Sequence, residues 1–276
     1  MTPDPVPSLR QLLAFYVDAG VDCALAEDPI NRMLDDAPEP AAREAAPEPR
    51  AIVKPALHAP PPPPLAFGAP PASPDAAIIS AREAAATAPS LDVLRELMQR
   101  FDGCALRATA TQLVFADGNP QAKVMFVGEA PGRDEDIEGL PFVGRSGKLL
   151  DLMLAAIGLN RGNVYIANVI PWRPPGNRTP TPQETQICLP FIRRQIELVN
   201  PDLLVTLGNP STQALLGTRD GIMRTRGRWF DYDTGTRTIR ALPTLHPAYL
   251  LRQPTYKRLA WQDLRAIATA LAATSN

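Results

Sequence analysis

Residues 123–144 read KVMFVGEAPGRDEDIEGLPFVG. An apolar run at 124–128 (VMFVG), too short for a helix and closed by a glycine, predicts a buried strand, and the Gly/Pro-shaped polar segment after it predicts a loop at the strand's carboxyl end. The chain beyond repeats this alternation. The pattern predicts a helix over 146–157, a strand over 164–169 (VYIANV), and a helix over 181–198. It then predicts a strand over 202–208 (DLLVTLG), a short helix to 216, a strand near 238–242 and a last helix from about 254 to 272. Strands separated by helices at this spacing imply a three-layer α/β/α sandwich around a central, mostly parallel four-stranded sheet. Ligands of such folds bind beyond the carboxyl ends of the strands, so the residues that follow each strand carry the functional information.

Upstream, Ser90 opens an amphipathic stretch with Leu91, Leu94, Leu97, Met98 and Phe101 on one side, which reads as the start of folded structure. Before it lies a Pro/Ala-rich segment. Most of the 32 prolines precede residue 75, and the run Pro60 to Pro64 cannot enter a helix or a sheet interior, because proline lacks an amide donor and fixes its own φ. Residues 36–75 are therefore expected to be an extended, solvated linker, and 76–276 the folded domain. Residues 1–35 are expected to hold one amphipathic helix, with Leu9, Leu12, Leu13, Tyr16 and Val17 on one face, Ser8 at its start and Gly20 at its end. That helix either packs back on its own domain or docks a protein partner.

The net charge of −1 conceals a division. Residues 1–100 hold 8 basic against 14 acidic side chains, and residues 101–276 hold 20 against 15, so the C-terminal part is a plausible nucleic-acid binder. Cys23, Cys104 and Cys188 form no C-x-x-C pair, which argues against a disulfide framework and for a reducing compartment. No apolar run reaches the length of a membrane span, and the start MTPDPVPSLRQLL lacks the basic then apolar order of a secretory signal. A soluble, cytoplasmic protein is expected.

Three strand ends stand out. The first carries Gly128-Glu129-Ala130-Pro131-Gly132 and then Pro141-Phe142-Val143-Gly144. The second carries Asn168 and the segment Trp172-Arg173-Pro174-Pro175-Gly176-Asn177-Arg178-Thr179-Pro180. The last carries His246-Pro247-Ala248-Tyr249-Leu250-Leu251-Arg252. Taken singly, Phe142 reads as a core aromatic, Asn168 as a turn cap and His246 as a structural histidine. Together and in this order, across residues 100–272, they resemble the uracil-DNA glycosylase superfamily, in particular its iron–sulfur family 4 branch.

The resemblance implies an enzyme that flips uracil out of single- or double-stranded DNA and hydrolyses its N-glycosidic bond, leaving an abasic site. Work on DNA would associate the protein with the nucleoid, as a monomer. Phe142 would supply an aromatic face for the base. Asn168 would present an acceptor to N3–H and a donor to O4, and Gly128 would let backbone amides approach the ligand. His246 would donate to O2 as charge gathers there. Glu129 and Glu135 are both candidates for positioning the attacking water, ahead of Asp134 and Asp136. Ala130 stands where the best-known uracil glycosylases carry a water-activating Asp. Leu250 and Leu251 would wedge into the minor groove with Arg252 on a phosphate. Arg173, Arg178, Arg224, Arg226 and Arg228 would contact the DNA backbone.

A member that forms a covalent adduct with the sugar would carry a His-containing loop after the second strand, where this chain has PPGNRTP. A non-catalytic recruitment module would not need the pocket set. Family 4 members hold a four-iron, four-sulfur cluster on four cysteines, of which only Cys104 and Cys188 remain. Phe101 and Trp172 occupy the other two positions. No cluster is therefore expected, with the two aromatic side chains filling the vacated volume.

Overall fold

The computed structural model describes residues 74–274. The expectations for the N-terminal helix and for nearly all of the linker fall outside those residues. The described chain opens with α1 (Pro74–Thr87) and α2 (Leu91–Arg100). The sequence pattern did not flag α1. Its buried stripe, Ala77, Ala81 and Ala85, recurs every four residues, is continued by Ala88 three residues further on, and packs against the long helix α6 (Pro182–Val199). Alanine at that spacing favours a helix and lets two backbones approach closely, yet it gives little hydrophobic contrast to read. Helix α2 begins as expected: the Ser90 hydroxyl accepts from the Val93 amide, and Leu94 and Met98 are buried.

A short helix, α3 (Leu106–Thr109), leads to a six-stranded sheet. Its strands are β1 (Asp117–Gly118), β2 (Val124–Gly128), β3 (Tyr165–Asn168), β4 (Leu203–Leu207), β5 (Phe230–Asp233) and β6 (Thr238–Thr244), in the order β1-β3-β2-β4-β6-β5. The four central strands are parallel, as the alternation predicts, and β1 and β5 add antiparallel edges. Every residue of β2, β3 and β4 is buried, which explains why these strands read as unbroken apolar runs.

Side chains alternate across the sheet. Met125, Val127, Tyr165, Ala167 and Leu204 face α1, α2 and α6. Val124, Phe126, Ile166, Val205 and Leu242 face α5 (Arg145–Ala155) and the C-terminal helix α10 (Lys257–Thr274). Between these lie α4 (Arg133–Glu138) after β2, α7 (Asn209–Leu216) after β4, α8 (Ile222–Thr225) before β5, and α9 (Pro247–Arg252) after β6. Helix α6 starts on a capping box in which Thr181 and Glu184 bond each other's backbone amides.

Candidate active site

The parallel register aligns the ends of β2 and β3, so that Gly128 lies beside Asn168. A Cβ on Gly128 would fall 2.4 Å from the Asn168 Oδ1 and 2.6 Å from the Phe142 ring, so only glycine allows the amide and the aromatic ring to converge. Phe142 is buried, and its backbone occupies the left-handed region at φ 56°. That conformation is strained for an aromatic residue and needs external support. Arg161 supplies it by donating to the carbonyl oxygens of Pro141 and Phe142 while ion-pairing with Asp117 and Asp151. The backbone of Gly147 in α5 lies directly against the Phe142 carbonyl, where no side chain could fit.

His246 caps α9, its Nδ1 accepting from the Ala248 amide at 3.1 Å. A ring nitrogen that accepts carries no proton, so Nε2 carries it and is the donor. Burial, with the charge of Arg252 second, pushes the imidazole pKa down to about 4, so the ring is neutral at physiological pH. Its centroid lies 5.5 Å from that of Phe142.

Phe142, Asn168 and His246 line one open cavity of about 370 Å³ together with Glu129, Glu135, Ser146 and Arg252. The Asn168 Oδ1 is buried and without a hydrogen-bond partner among the described residues. A buried acceptor in this state costs free energy until a ligand N–H meets it.

The two glutamates differ sharply. The Glu129 carboxylate has no hydrogen-bond or ion-pair partner among the described residues, and burial holds its pKa above the ordinary value. Glu135 is buried and accepts from the amides of Gly132, Val143 and Gly144. It ties the first motif to the PFVG turn, which leaves few lone pairs for a water. Asp136 is likewise engaged, by the Thr111 amide and hydroxyl at 2.8 Å each.

The expected DNA contacts divide in the same way. Residues 247–252 form a helix rather than a loop, and this turns Leu250 into the core between α5 and α10. The expectation that Leu250 is a groove wedge is corrected on that ground, whereas Leu251 and Arg252 are exposed. Arg226 is also corrected. Its guanidinium is held by the buried Asp263 and the Leu259 carbonyl, which makes it part of the scaffold. Arg178 is engaged by Glu184 through two hydrogen bonds, and Arg173 by the Asn177 side chain. Arg224 and Arg228 are exposed, with Arg228 over the Phe230 ring. Arg161 was not foreseen, because it acts on a backbone about twenty residues upstream and belongs to no motif.

Cys104 and Cys188 are both buried, with their Sγ atoms 3.9 Å apart. The neighbouring Cys104 thiol, with burial second, pushes the Cys188 pKa up. Phe101 stacks on Trp172 at a centroid distance of 6.5 Å and meets Phe191 edge-on at 5.0 Å, all three within the core. The two positions given as cysteines by the resemblance are thus a packed aromatic pair. Two thiols beside it do not fit a cubane cluster that takes four.

A mostly parallel sheet with an aromatic, an amide and a neutral imidazole gathered in one cavity at its carboxyl edge places the chain among α/β enzymes. The family model described as the uracil DNA glycosylase superfamily matches residues 115–265, and the chain belongs to that family. Among its relatives is the type-4 uracil-DNA glycosylase of Archaeoglobus fulgidus, 41% identical over 180 residues that cover 64% of this chain and 90% of that protein. The type-4 enzyme of Thermotoga maritima is 40% identical over 177 residues, 63% of this chain and 91% of that protein. The one from Saccharolobus solfataricus is 37% identical over 187 residues, 66% and 87%.

Proposed function

We propose that this chain is a uracil-DNA glycosylase of base-excision repair, which extrudes uracil from DNA and hydrolyses its N-glycosidic bond to leave an abasic site. The observation that carries the reading is the unpartnered Asn168 Oδ1 in a cavity shared with Phe142 and the Nε2–H of a neutral His246. Uracil offers N3–H to that acceptor and O4 to the amide donor. Cytosine offers the reverse polarity at both positions. Phe142 stacks on the ring from a backbone position that Arg161 holds.

As the glycosidic bond stretches, the sugar gains cationic character and the uracil gains negative charge on O2. The His246 Nε2–H donates to that oxygen without surrendering its proton, a contact worth about 3–4 kcal/mol if it matches other oxyanion donors. Glu129 is the favoured carboxylate for orienting the water and balancing the sugar's charge, because it lines the cavity without a partner of its own. Glu135 acts through the loop it ties.

The enzyme works without an iron–sulfur cluster, the aromatic pair standing in for the metal crosslink. Iron determination on anaerobically purified protein should give a substoichiometric value. It acts as a monomer on DNA in the cytoplasm. A cleavage assay with oligonucleotides bearing uracil, hypoxanthine, xanthine or thymine tests the activity: release is expected from uracil, and Asn168→Ala or His246→Ala should each lower it at least tenfold. Near-normal turnover in both variants would refute the assignment.

A further inference from the structure

Glu129 faces two cavities. Besides the base cavity it lines a cleft of about 450 Å³ between the starts of α6 and α7, and Thr179 and Pro180 border both. Buried Val169 and Ile170 close this cleft at the sheet, while exposed Gln186 and Gln213 open it to solvent. The Glu129 main chain is held, its carbonyl accepting from the Ile170 amide at 2.9 Å. Only its carboxylate is left without support.

Across the cleft stands Asn209, the first residue of α7. Strands β2 and β4 are adjacent, with Val127 beside Thr206, so the segments leaving both meet here. Neither end of the Asn209 amide has a hydrogen-bond partner among the described residues, and its Oδ1 is buried. The side chain does not cap its helix, because Gly208 holds the cap position. A partly buried amide in this state costs free energy until a bound molecule meets it. The Thr185 hydroxyl, which donates to the Thr181 carbonyl, also lines the cleft with lone pairs left to accept. A carboxylate, an amide and a hydroxyl around one solvent-connected space supply the two to four polar partners that an ordered water needs.

Hydrolysis consumes one water in each turnover, yet the flipped nucleotide and its strand cover the mouth of the base cavity. The cleft reaches Glu129 from the side that DNA leaves open.

We infer that this cleft is the water entry of the reaction, and that Asn209 is a positioning residue which, through a bound water, orients the Glu129 carboxylate. The inference rests on the glycosylase reading for the reaction itself. The attacking water's oxygen bonds to C1′ as the C1′–N1 bond breaks and its electron pair stays on the uracil. One proton of that water passes to the Glu129 carboxylate and leaves through the waters of the cleft, which restores the ionised carboxylate.

The test is a double-mutant cycle on the full chain, read as uracil release from a single-stranded oligonucleotide. Asn209→Leu removes both hydrogen-bonding ends of the amide at similar volume. It should lower kcat about tenfold, the worth of one hydrogen bond to a charged group, with KM unchanged and the melting temperature held or raised. In a Glu129→Gln background the same substitution should cause no further loss, because it acts through that carboxylate. Asn209→Asp keeps an acceptor, so kcat at alkaline pH should be retained. Its added negative charge should move the Glu129 break of the acid limb to higher pH. The other titratable groups lining the base cavity, Glu135, Arg178, His246 and Arg252, are common to all variants, and the cleft adds no other among the described residues. Losses that multiply in the double variant overturn the inference, as does an unchanged kcat for Asn209→Leu or an acid break that Asn209→Asp leaves in place. Failure of the glycosylase reading would look different: the unaltered protein would release no uracil at all.

Discussion

Gly128 and Asn168 are paired across adjacent parallel strands at a separation that leaves no room for one more carbon: a Cβ on the glycine would sit 2.4 Å from the amide oxygen. Gly128→Ala should therefore displace Asn168 and the Phe142 ring together. The expected result is a loss of uracil release of at least tenfold together with a lowered melting temperature, since the collision overpacks buried groups at about 1–3 kcal/mol. Release assays beside a thermal melt check it. An alanine variant with normal turnover would mean that the amide does not read the base.

The acid limb of the pH profile should contain two groups. Burial raises the Glu129 pKa from its ordinary value and lowers that of His246 to about 4. Release requires an ionised Glu129 and a neutral His246, so both are lost as pH falls, Glu129 first. Glu129→Gln should reduce kcat and remove the higher of the two breaks, leaving the one near 4. The imidazole also links pH to stability. Its folded pKa lies below the unfolded value of 6.5, so the unfolded chain binds the extra proton between 6.5 and about 4, and stability should fall as pH drops through that window. His246→Asn should flatten that part of the stability curve.

The sheet was most legible where burial is two-sided, and its two edge strands were missed. The runs at β2, β3 and β4 announce themselves because both faces are covered. The edge strands escape because β1 is two residues long and β5, FDYD, buries only Tyr232. Helix α1 escapes because its buried stripe is alanine. Phe142, Asn168 and His246 were readable from their motifs. The roles of Glu135, Leu250 and Arg226 depend instead on partners distant in sequence or on a helical turn replacing a loop. A charge or an apolar residue in a motif tells what chemistry is available, while the fold decides whether that chemistry faces a ligand or a neighbour.

Leu250 and Leu251 are adjacent in sequence and opposite in environment, the first fully buried and the second exposed. Leu250→Ala should cost about 2–5 kcal/mol of stability by leaving a cavity between α5 and α10. Its activity should recover at temperatures below the lowered melting point. Leu251→Ala should leave the melting temperature unchanged and reduce release from duplex DNA more than from single strands, because only a duplex offers a stack for an apolar side chain to support. Equal losses on both substrates would remove Leu251 from the wedge role.

Arg226 offers the reverse test of a residue that looks like a DNA contact in sequence. Its guanidinium is bonded to both oxygens of Asp263, a carboxylate that is almost completely buried and is otherwise met by the Thr244 hydroxyl at 2.7 Å. Arg226→Gln would strand that carboxylate in the core between β6 and α10, and breaking such a pair from one side costs about 3–5 kcal/mol. Denaturant unfolding should show the loss directly, and burial already holds the Asp263 pKa above its ordinary value, so part of the penalty should be relieved by protonation at low pH. The salt dependence of DNA binding should not change, because the side chain releases no counterion when DNA binds. A reduced salt slope with unaltered stability would return Arg226 to the DNA interface and make its ion pair with Asp263 incidental.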